Sequence, residues 1–223
     1  MDIMTYAKLI DGKLTLFRNP LQKDGMDIYN PSAEVLAGEG YKPYAEDAVD
    51  SSRLDACDLG FEYQETDAGI RKVWVYTPNP EKAKAAKLAE LNGAFDAAAK
   101  DAHCTSSVGF EINADEIANR NIEGLVLVMQ PEETTLFRAY DNSFHEVTRE
   151  QLEIMRKEIV INSQYLYQAK WTFEAQIMQA QTAQAVADID VSADVIAALA
   201  ATLKAQAMKA ANGGEGAGNA ETE

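Results

Sequence analysis

Cysteine is nearly absent from this sequence. Cys57 and Cys104 are the only two in 223 residues, and they form no C-x-x-C spacing. That rules out a cysteine-rich disulfide framework and leaves two buried thiols in a reducing compartment as the expectation. Histidine is as scarce: His103 and His145 stand alone, without H-x-x-x-H spacing, so no metal site is expected. Basic residues are few, 20 Lys+Arg against 36 Asp+Glu, for a net charge of −16. This argues against non-specific nucleic-acid binding, which needs cations to neutralise phosphates, and against docking on anionic lipid. No apolar run approaches the ~18 residues of a membrane-spanning helix. The N-terminal "MDIMTYAKLIDGK" lacks a basic region followed by an apolar run, so a cytoplasmic protein without a secretory signal is expected. "GEGYKP" and "GGEGAG" lack the strand–loop–helix context and the Lys-Ser/Thr of a phosphate loop, and no cofactor is expected.

What is present organises the chain as α+β. "YAKLIDGKLTLF" alternates apolar residues around Asp11-Gly12, the dipeptide of a tight hairpin turn. A short helix follows, with Asn30 as candidate cap, Pro31 at its first position and Gly38 or Gly40 at its end. "FEYQETDAGIRKVWVYT" predicts a second hairpin. Residues 1–78 are therefore expected to form a small β-rich domain. From Asn79-Pro80 the composition turns to Ala, Lys, Glu and Leu, predicting a connecting helix over 79–104. Leu88, Leu91, Phe95 and Ala98, with Ala102 beyond them, repeat at three and four. The seam lasts about two heptads, fewer than a coiled coil requires. Packing on its own domain is the first expectation for it, and a short homotypic contact the second.

Residues 105–180 read as a C-terminal α+β domain with long helices. Val108, Phe110 and Ile112 alternate as one face of a strand. Asn113 and Glu116 have the spacing of a capping box before a helix carrying Ile117, Ile122, Leu125 and Val128. "TTLFRAY" and "SFHEV" pair across Asp141-Asn142. Thr148 and Gln151 form a second capping box, opening a helix with an apolar stripe at Leu152, Met155, Ile159, Leu166, Phe173 and Ile177. An Ala-rich helix is expected within 181–211, capped by Ser192, and the Gly-rich acidic tail 212–223 should be disordered.

"YDNSFHEVTREQL" places Asp141, Ser143 and His145 within five residues. A nucleophile–base–acid site draws its side chains from separate elements, whereas turn chemistry alone selects Asp, Asn and Ser. The turn reading is preferred, and no G-x-S-x-G elbow accompanies the cluster. Acid pairs such as Glu132-Glu133, or Glu62 and Glu65, come readily by chance in an acidic chain. A glycan-cleaving enzyme would need two carboxylates in a cleft, and no cleft is recognisable. Trp74 and Trp171 are read as core, with an exposed tryptophan reserved as the sign of an interface.

"GFEINADEIANRNIEGL", "YDNSFHEVTREQL" and "LYQAKW" occur in this order within residues 85 to 180. This stretch resembles an uncharacterised C-terminal domain of small proteins encoded in phage and prophage tail clusters. The N-terminal "YAKLIDGKL…YNPSAEVLAGEGYKPY" is similar to the start of small tail-cluster proteins encoded beside fibre genes. The resemblance implies a non-enzymatic protein that binds a tail fibre or another tail protein, without nucleic acid or membrane. By the same resemblance it would act either as a fibre-assembly factor in the bacterial cytoplasm or as a minor structural piece of the virion tail, the latter as a homo-oligomer, dimer or trimer. A sheet edge within residues 1–78 is one candidate surface for the partner.

Overall fold

Asp11 and Gly12 both adopt positive φ, 51° and 74°. They close β1 (Thr5–Ile10) onto β2 (Lys13–Leu16) as an antiparallel hairpin. The computed structural model describes residues 5–213, and the chain divides into two units, Met1–Lys82 and Ala83–Glu223. The fold is α+β, with strands dominating the first unit and long helices the second.

In the first unit, Asp24 and Gly25 repeat the positive-φ turn and join β3 (Leu21–Lys23) to β4 (Met26–Ile28) as a small hairpin. The helix α1 (Ala33–Gly38) is capped by Ser32, whose side chain accepts the Val35 N–H, and not by Asn30. Asn30 has a left-handed φ of 50°, and its N–H donates to the Asn19 side chain instead. β5 (Lys42–Glu46), β6 (Cys57–Glu65) and β7 (Ile70–Pro78) complete a sheet of order β2-β1-β5-β7-β6. A 3₁₀ turn, Ser51–Arg53, separates β5 from β6. β5 and β7 run parallel and the other neighbours antiparallel, so β2 and β6 are the outer strands.

Gly69 sits where β7 meets β5; a Cβ there would lie 2.6 Å from the Pro43 carbonyl oxygen. Phe61 faces Trp74 across β6 and β7 with rings 6.1 Å apart, and the Lys72 ammonium lies 4.0 Å from the Trp74 ring. Trp74 is half-buried and donates its indole N–H to the Asp47 carbonyl at 2.8 Å.

In the second unit, α4 (Arg149–Gln179) is the spine. It packs on α3 (Glu116–Val128), on α6 (Ala193–Gly213), and against β8 (His103–Thr105) and β11 (Phe144–Thr148). Its capping box is complete. Thr148 accepts the Gln151 N–H, and the Gln151 side chain accepts the Thr148 N–H. All six stripe residues, Leu152 through Ile177, are buried, each stabilising the unit by roughly 1.5–3 kcal/mol relative to exposure.

The division between the units falls within α2 (Pro80–Lys100), after its first turn, where Asn79 Oδ1 accepts the Glu81 and Lys82 N–H groups. Leu91, Phe95, Ala98 and Ala102 of the expected seam are buried inside the second unit and Leu88 is half-buried. Phe95 meets Tyr167 of α4 with ring centroids 4.9 Å apart. The seam is thus used for packing within the chain.

Two expectations are corrected. Val108, Phe110 and Ile112 do not share a strand: the chain turns at Ser106–Gly109 and returns as β9 (Glu111–Asn113) against β8. The cap of α3 is Asp115, whose side chain accepts the Ala118 N–H at 2.7 Å, and not Asn113. Asn113 is held in the ladder opposite His103, which leaves Glu116 as the first helical residue, paired with Arg120. The buried face of α3 accordingly carries Ile122 and Val126, while Ile117 and Val128 are exposed.

β10 (Thr134–Arg138) pairs antiparallel with β11. The Ala-rich segment carries a short α5 (Ala183–Ala187), capped by Thr182, ahead of α6, which starts after Ser192. Asn212 and Gly213 end α6, and the rest of the expected disordered tail lies outside the described residues. Among the described residues, no helix is long and apolar enough to cross a membrane.

Candidate functional site

The cluster at the β10–β11 turn forms a continuous hydrogen-bonded chain. Asp141 Oδ1 accepts both the Ser143 N–H, at 2.9 Å, and the Ser143 hydroxyl, at 2.6 Å. Ser143 Oγ also lies 2.8 Å from His145 Nε2. The order is Asp–Ser–His, with serine in the middle. In a working triad the imidazole stands between serine and acid, taking the serine proton while the acid fixes its tautomer. Here the hydroxyl proton goes to the carboxylate, the stronger acceptor, and Ser143 Oγ accepts from the His145 Nε2–H. The hydrogen bonds from Ser143 hold the Asp141 carboxyl below its ordinary range. His145 stacks on Phe110 with centroids 4.0 Å apart. The cluster closes a turn, and this geometry does not activate Ser143.

The other reactive side chains are also engaged. His103 Nδ1 lies 2.6 Å from Glu111 Oε1, and its ring stacks on Tyr140. Cys57 and Cys104 are free, buried thiols in different units. Burial pushes the Cys104 thiol pKa up, away from the thiolate that nucleophilic chemistry requires. Among the described residues no three His, Cys, Asp or Glu side chains group as a metal site.

Sequence reasoning missed a second polar anchor. Ser106 is 3% exposed, the one buried polar residue among those described. Its hydroxyl donates to Glu158 of α4, whose other oxygen accepts the Ser107 N–H at 2.9 Å. Burial pulls the Glu158 pKa up, but the hydrogen bonds from Ser106 and Ser107 outweigh it and leave the pKa lowered. The anchor ties the β8–β9 turn to the spine of the unit.

The exposed surface of α4 is more informative. Val160, Tyr167, Trp171 and Met178 are all exposed, Trp171 by 52%, so Trp171 is not the core residue expected. Their spacing of seven, four and seven residues puts them within about 20° of one line along the helix. Tyr167 and Trp171 rings lie 6.0 Å apart. Val160 and Tyr167 line a groove of about 780 Å³, whose other walls are the end of α2 and the start of α3. Ile117 lines it from α3 and is 67% exposed. The Asn119 side-chain oxygen, also in the lining, is buried without a hydrogen-bond partner. The expected seam residues Phe95 and Leu91 lie on α2; Phe95 lines the groove and Leu91 is buried in the core. The line is apolar surface that the described residues leave exposed.

No curated protein and no solved structure matches the chain. The family described as a domain of unknown function (DUF4376) matches residues 82–197, just over half of the chain and spanning α2 to the first turn of α6. The chain belongs to this family.

Proposed function

We propose that this is a non-enzymatic binding protein of a phage tail cluster, acting as an assembly factor for the tail fibre. The observation that carries the binding role is the exposed apolar line Val160–Tyr167–Trp171–Met178 on α4. It runs beside a second stripe that already fills the core, and although Tyr167 meets Phe95 within the unit, all four side chains remain exposed, so packing within the unit leaves the line uncovered. The tail context rests on the resemblance of residues 85 to 180. The alternative, a homo-oligomeric structural component, drew its support from the Leu88–Ala98 seam. With Leu91, Phe95 and Ala98 buried within the chain, that support weakens.

The test is co-expression of the tagged full-length chain with the tail-fibre protein of its own gene cluster. Retention of the fibre through stringent washing is expected. A fibre that reaches its mature, protease-resistant form equally well without this chain, and never co-purifies with it, would remove the assembly reading.

A further inference from the structure

We propose that the groove between α2, the start of α3 and α4 docks an amphipathic helix of another protein, apolar on one side and flanked by lysine and arginine. This deepens the binding role proposed above by naming the surface and the chemistry of its partner. The apolar requirement comes from the exposed line. From Val160 to Met178 it spans about 27 Å at 1.5 Å per residue. That matches an α-helix of about five turns lying in a groove, recognised through side chains at i, i+4 and i+7. A compact small molecule would be held by the groove alone. The line, however, continues past it to Trp171 and Met178, which are not in its lining.

The charge requirement comes from the walls. Asp96, Asp101, Asp115 and Glu116 line the groove against one cation, Lys100. Asp115 is occupied in capping α3 and Glu116 in its pair with Arg120. Neither Asp96 nor Asp101 has an ion-pair partner among the described residues. A basic flank on the incoming helix would pair with them. A second copy of this chain is disfavoured as the occupant, because each copy brings a net charge of −16 and the same acidic walls.

The probe is a fluorescein-labelled 18-residue peptide of leucine and lysine at helical spacing, titrated with the full-length chain and followed by anisotropy. A leucine–glutamate isomer is its charge control. Ile117→Arg and Val160→Arg place a cation on each side of the groove. Leu136→Arg adds the same charge at a 69% exposed site on β10, outside the groove lining. The wild type is expected to bind the leucine–lysine peptide at least tenfold more tightly than its isomer. Each groove variant should weaken that binding at least tenfold, and Leu136→Arg by less than twofold. Should an arginine variant lose its helical signal, Ile117→Ser and Val160→Ser carry the same test by removing apolar surface alone.

No binding by the wild type, equal weakening by all three arginine variants, or none by the groove variants would overturn the proposal. So would a wild-type dimer in light scattering that Ile117→Arg dissociates, because a second copy would then fill the groove. Fibre co-purification that survives both groove variants sinks the groove and leaves the tail reading standing. Groove-selective peptide binding without any fibre partner does the reverse.

Discussion

The two units of this chain are stabilised in different ways. In the first, the buried apolar residues among those described are Ala7, Leu21, Leu36, Cys57 and Ile70. Around them lie strand ladders, tight turns, partly exposed ion pairs and a cation laid over aromatic rings. In the second, one 31-residue helix buries a continuous stripe against two other helices and two hairpins. Small sheets with little core depend on backbone geometry, whereas a helix-built core depends on side-chain volume. The first unit should therefore be sensitive at its backbone and the second at its apolar interior.

Each unit carries one tryptophan, Trp74 in the first and Trp171 in the second, so single-tryptophan variants report the two separately. The largest expected loss is in the second unit. Leu152→Ala should cost about 3 kcal/mol there and leave the Trp74 transition in place, as read by denaturant titration. In the first unit, Gly69→Ala drives a Cβ into the Pro43 carbonyl and should cost about 2 kcal/mol, moving only the Trp74 transition. Thr148→Ala removes the cap of α4 and should cost about 1 kcal/mol, while Thr148→Ser recovers most of it.

The smallest effect is that of acid on the Ser106–Glu158 anchor. The Glu158 pKa is lowered in the folded state. Its stabilisation is therefore present above the unfolded carboxyl pKa of about 4.3 and lost as pH falls through the lower folded value. Melting of the second unit should accordingly become less acid-sensitive in Glu158→Gln.

The parts of the fold legible in the sequence were those specified by neighbouring residues. Asp11-Gly12, the Thr148–Gln151 box and the α4 stripe each combine a strong local preference with the matching periodicity. Asp24-Gly25 carries the same turn signal as Asp11-Gly12, but strands of three residues are too short to show alternation. The position of Asp115 over Asn113 as cap depended on a partner: once Asn113 pairs with His103, the chain cannot turn helical until two residues later. The Ser106–Gly109 turn is held by Glu158, some fifty residues away. The proposed binding surface was least legible, because periodicity marks both apolar lines of α4 without saying which one is covered. Tyr167 and Trp171 have the composition of core residues, and the groove beside them needs three elements brought together.

The most direct measurement is the solution mass of the full-length chain by light scattering, alone and mixed with the C-terminal half of a tail fibre, the partner proposed above. The account expects the mass of one chain alone, moving into a complex of higher mass when the fibre is added. A stable trimer alone, unchanged by the fibre, would contradict it.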